Sequence, residues 1–353
     1  METMALAILA VTAVFVLFRY RQRKQSEEFP PDLKSAPEST GLKSSAPLRI
    51  STLPTGTTTV AVSHVHKSFN GTHAVNDVSF EVRSGEILGI VGPNGAGKTT
   101  AIRMLMDIIG ADSGQITILG ASAGQDTRDT IGYLPEERGL YRKIAVAESL
   151  RYMAQLKGLL PEEAGKVRDQ WLDRLGMSPH KGKKIEQLSK GMSQIIQLAA
   201  TVIHDPELII LDEPFSGLDP VNREMLKTII LELKECGRTI ILSTHQMNEV
   251  EALCDRVLMI NKGSVVLHGE LHEIRSRFRN NSVFLEYNGS IDNLPGVAEV
   301  KDHGSYVELF LNQDTSANQI LSRLVERGVT IDRFEVSTPS LNEIFIKVAR
   351  EES

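Results

Sequence analysis

Apolar positions fall along the chain in distinct patterns. Positions 4–18 read MALAILAVTAVFVLF, one apolar run without a charge. Further on come short aliphatic runs that end abruptly in polar loops: ILGIV at 87–91, TIGY at 130–133, LIIL at 208–211 and TIIL at 239–242. Runs this short and without polar alternation predict strands buried on both faces, as in a parallel sheet covered by helices. Between 146 and 176, including SLRYMAQLKGLL, apolar residues recur at helical spacing. After 270 the pattern changes again. Positions 282–287 and 305–310 alternate with period two, as half-buried strands do, and ANQILSRLVER at 317–327 reads as an amphipathic helix. The expected architecture is α/β up to about 280 and a small α+β domain at 281–353. Positions 25–56 are rich in Pro, Ser and Thr without apolar periodicity and read as a flexible linker.

The first apolar run is followed at once by Arg19, Arg21, Arg23 and Lys24, which makes 1–24 a candidate membrane anchor. A bilayer core asks for about 17 to 20 apolar residues, so the run is short, but Tyr20 and a snorkelling Arg19 extend it to the interface. A cleaved signal peptide would carry its charge before the run and small residues after it, and here the order is reversed. The basic flank then puts the rest of the chain on the cytoplasmic face of the cell membrane, behind a single-pass anchor. The 353 residues carry 39 Lys and Arg against 45 Asp and Glu, a net charge of −6, so no basic field argues for nucleic acid. Cys236 and Cys254 are the two cysteines, too few for a disulfide framework or a cysteine metal site.

Chemistry concentrates behind the aliphatic runs. ILGIV feeds Gly92-Pro93-Asn94-Gly95-Ala96-Gly97-Lys98-Thr99-Thr100 and then the helical pattern AIRMLMDII. This is G-x-x-x-x-G-K-[ST] between a strand and a helix, the setting in which the pattern cradles phosphates. Its glycines turn backbone N–H groups inward, and the helix N-terminus adds a positive dipole end. Lys98 can then reach the β- and γ-phosphates, Thr99 can ligate Mg²⁺ and Thr100 can bond the α-phosphate. LIIL ends in Asp212-Glu213, at the strand edge where open α/β sheets bind ligands. Asp212 suits the Mg²⁺ shell, and Glu213 suits the polarisation of a water attacking the γ-phosphate. A DE pair opening a turn before Pro214 would read as structural in another chain. After a buried strand, beside a phosphate loop, it reads as catalytic.

Taken together these motifs resemble the ATP-binding cassette (ABC) ATPases, over roughly 60–270. Phe69 lies upstream where that family stacks an aromatic on adenine, with Val75 beside it. LSKGMSQ at 188–194 stands for the family's signature, SGLD at 216–219 for its D-loop with Asp219, and Ser243-Thr244-His245 for its switch histidine. The resemblance implies a P-loop ABC cassette with a parallel core sheet, an antiparallel β subdomain and a helical subdomain, occupying 57–280. It also implies Mg²⁺ with ATP as substrate, and a γ-phosphate contact from His245. The signature contacts the opposite subunit's ATP, so Ser189, Lys190, Gly191 and Met192 would face a partner cassette. Lys190 and Met192 depart from the family's glycine and glutamine. Lys190 reads either as a further phosphate anchor or as a solvent-facing lysine.

The loop LPEERGL at 134–140 carries Glu136 where the family usually has a glutamine that touches Mg²⁺ and the attacking water. A carboxylate keeps the oxygen ligand that Mg²⁺ favours and loses the amide donor. GYLPEERGLY, and PSLNEIFI at 339–346, resemble the branch of sodium- and drug-extrusion ATPases with a C-terminal accessory domain. With one phosphate loop and one signature per chain, the resemblance implies a homodimer, or a paired cassette subunit, around two ATP. It also implies a separate ABC-2-type transmembrane permease and an exporter role. The competing reading is a non-transport ABC ATPase, regulatory or translation-type, tethered to the membrane. Such factors usually carry two cassettes or a long coiled-coil insertion, and this chain has neither.

Overall fold

The computed structural model describes residues 49–351, apart from Arg138, Arg279, Asn280 and Thr338. The expected anchor at 1–24 and the linker up to 48 lie outside the described residues. Among the described residues no helix is long and apolar enough to cross a membrane.

The strands are, in order, β1 (Thr58–Phe69), β2 (Thr72–Arg83), β3 (Ile87–Val91), β4 (Ser113–Ile118), β5 (Ala121–Ser122), β6 (Ile131–Leu134) and β7 (Leu208–Asp212). They continue with β8 (Thr239–Thr244), β9 (Arg256–Asn261), β10 (Ser264–Glu270), β11 (Ser282–Asn288), β12 (Val297–Asp302), β13 (Val307–Leu311) and β14 (Thr330–Val336). The helices are α1 (Lys98–Leu105), α2 (Gln125–Thr130), α3 (Val146–Leu156), α4 (Pro161–Arg174) and α5 (Lys190–Val202). They end with α6 (Pro220–Glu235), α7 (Met247–Leu253), α8 (Leu271–Arg277), α9 (Ala317–Glu326) and α10 (Leu341–Glu351). They form two compact units, each built from separated stretches: 49–54 with Arg128–Arg238, and Thr55–Thr127 with the chain from Thr239 onward.

In the unit that contains β3, the sheet order is β10-β9-β3-β8, with β3 parallel to both β8 and β9. Every residue of β3 and β8 is buried, which is why ILGIV and TIIL read as unbroken apolar runs. A second, antiparallel sheet runs β2-β1-β4-β5. Its long hairpin turns at Asn70-Gly71, both at positive φ, the pair a two-residue hairpin loop favours. A third sheet, β12-β13-β11-β14, buries Val283, Leu285, Leu309 and Leu311 against Ile320 and Leu324 of α9. That is the α+β arrangement expected after 280. α9 starts on a capping box, in which Ser316 and Gln319 satisfy each other's backbone N–H groups.

In the other unit β6 runs parallel to β7, from Ile131 opposite Leu208 to Leu134 opposite Leu211. α3 packs on α4 and on α5. Trp171 of α4 is buried, with the Arg174 guanidinium 5.2 Å from its ring. Arg238, 2% exposed, pairs at 2.8 Å with both Asp205 and Glu207. It also donates to the Arg49 carbonyl, and Ser51 donates its hydroxyl to Glu207. A buried charge costs several kcal/mol unless it is paired and hydrogen-bonded. Residues 49–51 are therefore part of this unit rather than free linker, although the sequence places them in the linker.

Candidate functional site

The phosphate loop is shaped by glycines that no other residue could replace. Gly92 sits at φ +154 with a would-be Cβ 2.1 Å from the Ile260 carbonyl oxygen. Gly97, the N-cap of α1, sits at φ +107 with a would-be Cβ 2.3 Å from the Ala74 oxygen. Any side chain there would meet backbone, so the glycines hold the loop closed against β2 and β9 as well as allowing its conformation. Ala96 accepts a hydrogen bond from Gly263 N–H, and Pro93, Asn94 and Gly95 form the exposed crest. Lys98 is 6% exposed, with its ammonium donating to the carbonyls of Gly92 at 2.8 Å and Pro93 at 3.2 Å. Thr99 and Thr100 are half-buried in the first turn of α1.

Strand register brings His245 to the same edge. Val91 pairs with Thr244, so Gly92 and His245 leave neighbouring parallel strands together. His245 is exposed, and the turn behind it is closed by Gln246 N–H donating to Thr244 Oγ1 at 3.0 Å. His245 opens onto a cleft of about 350 Å³ shared with Glu251 of α7 and with Ser340 and Asn342 at the start of α10. The backbone N–H of Leu341 donates to the Glu251 carboxylate, so the C-terminal helix is tied to the helix that follows the histidine.

Phe69 ends β1 at 46% exposure, with the Lys67 ammonium 5.5 Å from its ring centroid. Lys67 also bonds Asp112 at 2.7 Å, and that contact holds the Asp112 carboxyl below the usual range. Val75, read as lying beside Phe69, is fully buried in β2.

The other unit repeats the logic. Leu134 pairs with Leu211, so Pro135-Glu136 and Asp212-Glu213 leave neighbouring strands at their C-terminal ends. Asp212 is 1% and Glu213 6% exposed, and Glu213 takes a positive φ of 49° at the turn. Ser189 is the N-cap of α5, its hydroxyl accepting from Met192 N–H at 3.2 Å. Gly191 lies against Asn222, whose backbone N–H donates to Asp219 at 3.0 Å. That bond draws the Asp219 carboxyl below its usual range and caps α6. Signature and D-loop thus meet within one unit. Glu136, Glu137, Lys190, Gln194, Glu213 and Ser216 line a single cavity of about 250 Å³.

Sequence reasoning missed the polar ladder along α5. Gln194 donates to the Pro214 carbonyl at 3.3 Å, and Gln197 makes long contacts to the carbonyls of Pro135 and Glu137. Thr201 reaches the Tyr133 carbonyl at 3.4 Å. All three side chains are buried. The signal was present in SQIIQLAATVI, where polar residues at helical spacing sit in an otherwise apolar helix, and buried polar groups need partners. The ladder ties the signature helix to the strand and loop that carry Glu136.

A phosphate loop at the end of a buried parallel strand, with acidic residues closing a second one, defines a P-loop nucleoside triphosphatase. The ABC transporter family profile matches residues 75–216, and the profile of the ATP-binding protein DrrA1-3-like C-terminal domain matches 269–349. The chain is 39% identical over 291 residues to the uncharacterised ABC transporter ATP-binding protein YhaQ of Bacillus subtilis, covering 82% of this chain and 97% of that protein. It is 32% identical over 301 residues to the Nod factor export ATP-binding protein I of a Rhizobium species, covering 83% and 97%. The solved structure of an ATP binding subunit of an ABC transporter aligns with TM-score 0.59 and 32% identity, covering 63% of this chain and 93% of that one. The chain belongs to the ABC transporter ATP-binding proteins and is an ATPase.

Proposed function

We propose that the chain powers export: two copies, or one copy and a paired cassette subunit, close around two ATP and drive a separate ABC-2-type permease. In this reading the phosphate loop from Gly92 to Thr100 holds the triphosphate and Phe69 stacks on the adenine. Glu213 is the general base and His245 contacts the γ-phosphate. Ser189 and Gly191 approach the ATP held by the partner cassette, with Asp219 at the same interface. Among the described residues no group of three or more His, Cys, Asp or Glu is arranged to hold a metal ion alone. Mg²⁺ suits a site shared with phosphate oxygens, and the donors on offer, Thr99, Asp212 and Glu136, are the hard oxygen ligands it takes. It would neutralise charge developing on the phosphates. We place the ATPase domain at 57–280 and the accessory domain at 281–353.

The observation that carries the permease coupling is an apolar surface beside the LPEERGL loop. Tyr141, 42% exposed, meets Tyr152 of α3 edge-on at 6.2 Å, and Leu156, one turn further on, is 40% exposed. Side chains four apart share a helix face, and exposed apolar clusters of this kind mark partner surfaces. Glu137 flanks it in solvent, while Gln197 holds the loop from beneath and Thr201 the strand before it. The export direction is supported by the related Nod factor export protein.

The test is affinity capture of the full-length chain from its native membranes, followed by ATPase assays with and without what comes down. An integral membrane protein should co-purify and change the hydrolysis rate. In that complex Glu136→Gln should keep hydrolysis, because one oxygen ligand remains. Glu136→Ala should slow it, though less than loss of Glu213, since Mg²⁺ keeps Thr99 and the phosphate oxygens. Capture of soluble partners alone would contradict the transport reading, and parent-like hydrolysis and transport by Glu136→Ala would reduce the acidic pair to a solvated turn.

Residues 4–18 are proposed to anchor the chain with its ATPase on the cytoplasmic face, on the strength of the apolar run and the basic flank after it. Expressed without a permease, the full-length chain should then fractionate with membranes at intact mass. Recovery in the soluble fraction at intact mass would refute an autonomous anchor, and recovery in a form shortened after about Tyr20 would favour a signal peptide.

A further inference from the structure

β1 and β4 stop pairing before β1 ends. Their last ladder pair is His66 with Ser113, and β1 runs on to Phe69, directly before the Asn70-Gly71 turn. A strand end at a hairpin tip frays unless something ties it down. Asp112, the residue before β4, ties this one with both backbone and side chain. Its N–H donates to the His66 carbonyl at 2.9 Å, and its carboxylate accepts from Ser68 N–H and from the Lys67 ammonium, both at 2.7 Å. Towards β2, Phe69 pairs with Thr72, and Ser68 Oγ lies 2.9 Å from His73 Nδ1. Lys67 and Phe69 are two apart on one strand, so they project from the same face. The ammonium accordingly sits over the Phe69 ring, 5.5 Å from its centroid, and the lysine side chain is only 16% exposed.

We infer that Lys67 and Asp112 are positioning residues for the nucleotide base: a strut that fixes Phe69 and places a cation against its ring, leaving the ring's exposed surface to the base. Phe69 ends its strand at a turn, yet both its backbone and its ring are held before any nucleotide arrives. Ordering a side chain in advance removes that cost from binding, and the cation–π attraction supplies the ordering. Lys67 therefore acts through Phe69 and not as a phosphate contact, since its ammonium is engaged by Asp112 and the ring. Cation–π contacts and ion pairs at exposed sites contribute little each, so the effect is several-fold in affinity rather than orders of magnitude. This inference rests on the reading of Phe69 as the residue that stacks on adenine.

Equilibrium binding of two probes to the full-length chain decides it: ADP, which carries a base, and inorganic pyrophosphate, which carries the same phosphates without one. Neither is hydrolysed by an ATPase. Lys67→Leu should weaken ADP binding about two- to fivefold, the worth of an exposed cation–π contact, and leave pyrophosphate binding where it is. Asp112→Ala should act in the same direction, because it releases both the ammonium and the Ser68 N–H. Lys67→Arg should restore ADP affinity to near the parent value, since a guanidinium also stacks on aromatic rings and bonds carboxylates. Phe69→Ala should weaken ADP binding at least about fivefold, the lower end for a lost base–aromatic stack, and in that background Lys67→Leu should cost nothing further. Equal losses of ADP and pyrophosphate in Lys67→Leu would make the lysine a phosphate contact or a fold determinant and overturn the inference. So would parent-like ADP binding by Lys67→Leu, or an undiminished loss in the Phe69→Ala background. Parent-like ADP binding by Phe69→Ala alone would instead sink the adenine reading on which the inference stands.

Discussion

Glu213→Gln is expected to bind ATP as the parent does and to hydrolyse it roughly 10²–10⁴-fold more slowly, the range attributed to positioned proton transfer. Glu213 follows the fully buried β7 and is itself 6% exposed, so its carboxylate is largely shielded from bulk solvent. Glutamine matches it in shape and cannot accept the proton from the attacking water. The positive φ at this position is unchanged by the exchange, so no new backbone strain is introduced. Phosphate release under saturating Mg²⁺ and ATP measures the effect, with equilibrium ATP binding as the control. Hydrolysis near the parent rate would remove Glu213 from the role of base.

Lys98→Ala is expected to fail one step earlier, at nucleotide binding. The ammonium lies within the phosphate loop, close enough to bond the Gly92 and Pro93 carbonyls. A charge-assisted contact to phosphate contributes about 1.5–3 kcal/mol, so ATP affinity should fall roughly 10- to 150-fold. The loop's shape depends on Gly92 and Gly97 rather than on the lysine, so melting of the nucleotide-free protein should change far less than affinity does. Unchanged ATP binding would contradict the phosphate-loop assignment.

The parts of the fold that the sequence announces are those whose residues face one environment throughout. β3, β7 and β8 are buried end to end and read as aliphatic runs, and β11, β13 and α9 show their periods plainly. β12 did not, because five of its six residues are exposed and VAEVKD carries no alternating apolar face. The motif residues were legible because phosphate chemistry restricts them to glycine, lysine, threonine and carboxylates at fixed spacing. Their tertiary neighbours were not. Nothing local to 190 says that its side chain crosses Gly217, and nothing in the Pro/Ser-rich linker says that 49–51 complete the partners of a buried arginine. Val75 shows the converse: motif position suggests a contact beside Phe69, while its full burial in β2 is a matter of packing that motif position does not report.

In the proposed cycle each ATP bridges two chains, held by Lys98 on one side and by Ser189 of the second copy on the other. Association should then follow bound nucleotide by mass action. The direct measurement is the solution mass of a Glu213→Gln chain beginning at residue 47, which drops the apolar run and keeps Arg49 and Ser51 on Arg238 and Glu207. Light scattering should give a monomer without nucleotide and twice that mass with saturating Mg²⁺ and ATP. A mass that stays monomeric under saturating ATP, with ATP binding demonstrated in the same sample, would contradict the shared site.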